Sequence, residues 1–301
     1  INMRDRSLIV VFVFKDIALF SKILHCFQID KFSFTLQVEF MKIPTTKIIR
    51  IILLMALATA ALAVTIPVFL TDRFTIRGGS MLPTLHDGQH VFVNKLLMGA
   101  RIYTKYDFSD PVMESFRMPG LRNVRPGDIV IFNYPYPDST GKIHFRINYV
   151  YAKRCIGRSG DTVGIRNGYY YNSSLPTTVI GTERYQRWLS RRPDSVLTAD
   201  TALKFEAAVL PDGAVWTIKD YGPLYIPGAG DTIRLTENNI FLYGRLIEYE
   251  SGDMPDADSV SCHTFRSNYC FLAGDNVLNS MDSRYIGLIP EDYIVGIVSG
   301  I

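Results

Sequence analysis

"NYVYAKRCIGRSGDTVGIRNGYYYN", residues 148–172, decides the fold. It reads as a β-branched and aromatic strand, a Ser-Gly-Asp turn and a second strand. Asn167-Gly168, the strongest short-range hairpin signal, then leads into "YYYN". The same grammar extends outward. Upstream, "HVFVNKL" (90–96) alternates as a half-buried strand should, and "RPGDIVIFNYP" (125–135) is a turn feeding a strongly apolar strand. Downstream, residues 174–210 turn polar and helical. β grammar resumes in "AVWTIKDYGPLYIPGAGDTIRL" and in "NIFLYGRLIEYE", and the chain closes on a strand, a polar loop and a final strand. A mainly β protein is expected, with 17 Tyr and 18 Phe among 301 residues.

One segment breaks the pattern. "IILLMALATAALAVTIPVFL", Ile51–Leu70, is 20 residues without a charge, and as a helix it spans the roughly 30 Å hydrocarbon core of a bilayer. A cleaved signal sequence has a shorter apolar core, of about 7–15 residues. Lys42, Lys47 and Arg50 precede the segment, so the excess of cytoplasmic basic residues predicts a cytoplasmic N-terminal side. The expected organisation is a basic flank and transmembrane anchor over 41–70, followed by one β-rich domain over 71–301 with a second β subdomain inserted at about 166–260. Residues 1–40 read as an extension upstream of a natural start at Met41.

Net charge is +3 with no Lys/Arg-rich run, which gives no footprint for nucleic acid. No C-x-x-C occurs among Cys26, Cys155, Cys262 and Cys270, so no zinc site is expected. Cys262 and Cys270 enclose seven residues and are expected to pair as a disulfide on the far side of a membrane. His86 and His90 share a helical spacing that Asp87-Gly88 breaks. Neither a metal nor a cofactor is expected.

Two residues carry the chemistry. Ser80 sits in "GGSMLPTLHDG" (78–88), on a glycine turn that would hold a nucleophile out, and nothing local marks a histidine as its base. Lysine serves as a base only when neutral, and burial among apolar groups lowers its pKa by disfavouring the ammonium. Lys153 stands amid Val150, Tyr151, Ala152, Cys155 and Ile156. On a strand it shares a face with Tyr151 and Cys155, while Arg154 points toward solvent. The alternative is an edge-strand lysine that guards against aggregation.

Taken in order, the apolar segment, "GGSMLPTL", "RPGDIVIF", "YAKRCIGRSGD" and "GDNVLNSMDSR" resemble the type I signal peptidases from about residue 42 onward. These are membrane-bound serine proteases with a Ser/Lys dyad. The resemblance implies Ser80 as nucleophile and Lys153 as general base. Ser280 would orient the amine, Asp282 and Arg284 would be a structural pair, and Asp275 and Asn276 the opening turn of that loop. It also implies shallow pockets for small substrate residues at −1 and −3, with Ile76, Met81, Leu85, Tyr151 and Ala152 along them.

The expected partners are secretory preproteins, the lipid bilayer and the translocation machinery. The expected location is the cytoplasmic membrane, single-pass, with the N-terminus in the cytoplasm and the catalytic domain outside. Three positions depart from the family. Gly78 stands where many relatives carry a serine that donates to the oxyanion, so backbone N–H groups would serve there. Val277 replaces the usual arginine, and Arg158-Ser159 the usual Leu-Pro. The rival readings are a Ser/Lys peptidase specialised for one exported substrate and a non-catalytic anchored β-domain.

Overall fold

A computed structural model describes residues 44–104, 114–256 and 261–299. The expectation for residues 1–40, with a start at Met41, lies outside them. The chain divides into two units, one through Pro67 and one from Val68 onward. Helix α1 (Thr45–Thr65) lies in the first and runs into a π turn (Ile66–Leu70) that crosses the boundary. Together they make a helix long and apolar enough to cross a membrane. The two hydroxyls in its apolar stretch are satisfied internally, Thr59 Oγ1 donating to the Met55 carbonyl and Thr65 Oγ1 to that of Ala61. A bilayer core, which offers no water to such groups, demands this arrangement.

The second unit is built on seven antiparallel strands. β1 (Thr71–Thr75) pairs with β2 (His90–Asn94), while β3 (Arg101–Tyr103) and β4 (Ser115–Arg117) form a side ribbon. β5 (Ile129–Asn133) pairs with the nine-residue β6 (Val150–Arg158). β5 is buried on both faces, which is why it reads as an unbroken apolar run. Val130 and Phe132 enter the larger core, and Ile129 and Ile131 enter a smaller one with Ile76, Met81 and Leu85.

The inserted segment carries mixed structure. β7 (Thr162–Arg166) and β8 (Tyr169–Asn172) form the expected hairpin, with Asn167 at φ 47° and Gly168 at φ 82°. Two positive φ values in a row are what a two-residue turn of this hand requires. Helices α2 (Glu183–Ser190) and α3 (Asp194–Ala199) follow, then strands β9 (Glu206–Val209), β10 (Val215–Thr217), β11 (Tyr221–Tyr225) and β12 (Thr232–Arg234). Val163, Ile165, Leu189, Trp216 and Tyr221 join the same core as the main sheet.

"NIFLYGRLIEYE" is not a strand but most of helix α4 (Glu237–Ser251). Its β-forming residues suggested a strand, yet Tyr243, Gly244, Leu246 and Ile247 are buried at helical spacing. Thr236 caps its start by accepting from the Asn239 N–H, and Gly252 ends it at φ 93°. Strands β13 (Cys262–Thr264) and β14 (Tyr269–Ala273) come next, then the short helix α5 (Ser283–Ile286), β15 (Ile289–Pro290) and β16 (Ile294–Ser299). The main sheet is ordered β1-β2-β16-β5-β6-β14-β15.

Candidate active site

The site forms where β6 outruns its neighbour. β14 ends at Ala273 opposite Arg154, so the sheet leaves room beside Lys153, and the turn after β1 fills it. Ser80 is presented by that turn. Gly78, at φ 80°, donates its N–H to Asp87 Oδ1 at 2.7 Å, while Met81 and Leu85 are packed in the smaller core at 1 % and 0 % exposure. Buried on one side and bonded on the other, the turn has little freedom to swing the serine. Gly78 is required by its backbone angle, since a side chain there would cost about 1–2 kcal/mol.

Lys153 is 2 % exposed, and its Nζ lies 2.5 Å from Ser80 Oγ. It donates when charged and accepts the hydroxyl hydrogen when neutral. Val130 stands opposite it across the strand pair, and the Tyr151 ring centroid is 5.9 Å from the amine. Burial pulls its pKa down to about 8, with Asp282 and Asp275 opposing that pull and Arg284 adding to it. The carboxylates do not win because each is held by an arginine. Arg154 meets both oxygens of Asp275 at 2.7 and 2.6 Å, and Arg284 meets both of Asp282 at 2.8 and 2.9 Å. Arg154 is therefore not a solvent-facing residue as the alternation of the strand suggested. It is the partner that occupies Asp275.

The loop 274–284 fastens this assembly. The Asn276 N–H donates to the Ser80 carbonyl at 3.0 Å, and its Nδ2 donates to the Gly79 carbonyl at 3.1 Å. Thr84 Oγ1 donates to Asp275 Oδ2. The Asp282 carboxylate caps helix α5 and accepts from the Gly274 N–H at 2.9 Å. Burial alone would raise its pKa, but Arg284 and these bonds hold it below the ordinary carboxylate value. Gly274 is wedged so tightly that a Cβ there would overlap both Ser280 Oγ and the Ser80 carbonyl oxygen.

Most of the expected residues converge, with differences. Ser280 Oγ is buried beside Gly274 and close to the Asp282 carboxylate, whose pKa it helps to lower, and it makes no well-aligned hydrogen bond to the lysine amine. Ile76, Met81 and Leu85 form one apolar cluster against which Ala152 and Val150 pack. Tyr151 stands apart, half-exposed, with ring centroids 4.9 Å from Tyr134 and 5.5 Å from Tyr149. This tyrosine group escaped the sequence reading, although alternate aromatics at 149 and 151 signal it. Val277 is buried and its carbonyl accepts from Arg284 Nη1 at 2.8 Å, which is a core role.

The expected Cys262–Cys270 pair is not formed, and both thiols are free. Cys262 is exposed on β13, which pairs with β12, whereas Cys270 is buried on β14 in the main sheet. Proximity in sequence misled because the two cysteines belong to different sheets. The neighbouring Cys155 thiol and burial push the Cys270 thiol well above its ordinary value.

The family described as "Signal peptidase, peptidase S26" matches residues 48–222 and 226–301. The chain is 30% identical over 236 residues to Signal peptidase I T of Bacillus subtilis, covering 78% of this chain and 75% of that one. It is 29% identical over 237 residues to a Signal peptidase I of Bacillus amyloliquefaciens, covering 78% and 76%. With the Signal peptidase I of Pseudomonas aeruginosa it shares 28% identity over 238 residues, covering 76% and 63%.

Proposed function

The chain belongs to the signal peptidase family, peptidase S26, and from that premise we propose that it is a serine endopeptidase that removes signal peptides from exported preproteins, with Ser80 as nucleophile and Lys153 as general base. The observation that carries this reading is a buried amine 2.5 Å from the serine hydroxyl, with its pKa drawn down to about 8. At neutral pH a useful fraction of such an amine is uncharged and able to take a proton.

Ser80 Oγ attacks the scissile carbonyl as its hydrogen passes to Lys153 Nζ. The tetrahedral oxyanion is met by backbone N–H groups, chiefly that of Ser80, because Gly78 offers no hydroxyl. The lysine ammonium then protonates the departing amine, leaving an acyl-enzyme on Ser80. The amine, neutral again, deprotonates a water that hydrolyses the ester. Ser280, whose hydroxyl does not bond the amine in the resting structure, would turn to it and orient it during these transfers. Small substrate residues at −1 and −3 rest on the cluster of Ile76, Met81, Leu85 and Ala152.

Helix α1 crosses the cytoplasmic membrane with its basic end in the cytoplasm, so that the second unit works on the far side, where preproteins emerge from the translocation machinery. The test uses full-length protein in detergent with a radiolabelled preprotein. Wild type releases the mature product. Ser80→Ala and Lys153→Ala each lose cleavage while keeping the far-ultraviolet circular dichroism of wild type. A Lys153→Ala protein that cleaves normally requires another base and defeats the proposal.

A further inference from the structure

Helix α2, within the inserted segment, presents an unusual face. Over Glu183–Arg192 the chain places Arg184, Arg187, Arg191 and Arg192, all exposed, against one glutamate. Arg187 pairs with Glu183, and Arg192 stacks over the Trp188 ring at 4.8 Å. Arg184 and Arg191 meet no carboxylate among the described residues. With Tyr185, Trp188 and the Glu183–Arg187 pair they line a cleft of about 740 Å³, and its one wall from outside this stretch is Leu278, two residues from Ser280 in the loop that fastens the nucleophile.

The cleft lies on a defined side of the catalytic pair. Along β6, Val150 and Ala152 precede Lys153 and pack on the apolar cluster. Arg154, which follows Lys153, binds Asp275. Gly181, just ahead of α2, is in van der Waals reach of both, since a methyl there would sit 3.6 Å from Asp275 Oδ1 and 3.8 Å from Arg154 Cδ. An extended substrate with its −1 and −3 residues on the apolar cluster and its later residues on the Arg154 side of Lys153 runs toward α2. At about 3.3 Å per residue, positions three to six beyond the cut bond reach some 10–20 Å past it.

We propose that this arginine and tryptophan cleft receives the mature-side segment of the preprotein and favours acidic residues there. The inference rests on the catalytic reading above. Its chemistry is complementary on both sides. Arginine forks bind carboxylates in paired hydrogen bonds, and segments that cross a membrane just behind a signal sequence are poor in Lys and Arg because such residues hold a chain on the cytoplasmic side. Leu278 in its wall, and Gly181 packed on Asp275 just ahead of α2, tie the cleft to the catalytic loop, which favours a substrate peptide over lipid headgroups as its occupant.

The experiment uses full-length protein in phosphatidylcholine nanodiscs and three peptides identical through the cleavage site. They carry Glu-Glu, Gln-Gln or Lys-Lys at the fourth and fifth positions beyond it. Wild type is expected to cleave Glu-Glu about fivefold better than Gln-Gln in kcat/KM at low salt, because exposed charge pairs are individually modest, with Lys-Lys poorest. High salt should compress the series. The Arg184→Gln, Arg191→Gln double variant should cleave all three at the wild-type Gln-Gln rate.

An order that survives in the variant, or no order in wild type, overturns the proposal. The series is repeated in nanodiscs containing phosphatidylglycerol. If the variant loses stimulation by that lipid equally for all three peptides, the arginines serve headgroups and the proposal fails. Wild type that leaves Gln-Gln uncut under Ser80-dependent conditions refutes the catalytic reading itself, and this inference with it.

Discussion

Lys153 and Arg284 are both cations at 2 % exposure, and the regions that bury them treat the charge in opposite ways. Around Arg284, burial opposes the charge but Asp282 beside it prevails, and the guanidinium is held more firmly protonated than usual. The Val277 carbonyl takes a further N–H. Around Lys153 the same carboxylate is within electrostatic reach but already engaged, as Asp275 is by Arg154, and burial prevails. Depth of burial does not decide ionisation here. The supply of unshared counter-charge does. One region is built to keep its charge and the other to let it go.

The largest expected effect comes from removing the base while keeping its shape. Lys153→Met should lower kcat/KM by about 10⁴-fold, in the range seen when an acid–base partner is deleted. Its thermal midpoint should hold or rise, because an uncompensated buried amine is gone. An activity assay and a melting curve on one preparation decide it. Wild type itself should show kcat/KM rising with pH and levelling above about 8, since only the neutral amine accepts a proton. A flat profile from neutral to mildly alkaline pH would contradict the contrast between the two cations.

Arg284→Met attacks the other side. It strands the Asp282 carboxylate, and denaturant titration should report a loss of about 3–5 kcal/mol. In the folded fraction the freed carboxylate favours the Lys153 ammonium, so the activity limb should move to higher pH. A limb that stays put would mean that Asp282 does not speak to the lysine.

Gly274→Ala pushes a methyl into the Ser80 carbonyl and Ser280 Oγ. Displacements near 1 Å at a reacting group cost about 10²-fold, so a single-turnover assay should fall by that order. Ser280→Ala is the mildest change. Loss of one orienting hydrogen bond, made only during proton transfer and of about 1 kcal/mol, predicts roughly a fivefold drop in kcat/KM. Stability should change little, because the neighbouring Asp282 keeps both of its Arg284 bonds without that hydroxyl.

What the sequence disclosed follows the range of the interactions involved. The hairpin at Asn167-Gly168 and the nucleophile turn at Gly78 were legible because each is dictated by backbone angles that few residues adopt. Lys153 was legible as a buried lysine because its neighbours along the strand are apolar. Arg154 was misjudged because its partner, Asp275, is 121 residues away. The segment 237–251 was misread because Ile, Phe, Leu and Tyr favour strands in isolation, although the Thr236 cap and Gly252 stop were present in the text. The cysteines failed similarly, since closeness along the chain says nothing of which sheet a strand joins.

The place of β16 in the main sheet bears on how the protein comes into being. Residues 294–299 lie between β2 and β5 and pair with both, yet they follow every other described strand in order of synthesis. A ribosome that has released the serine turn, the lysine strand and even the fastening loop has still not supplied the middle of the sheet that holds them in register. The sheet that carries the serine and the lysine can therefore close only after its last described strand has been made.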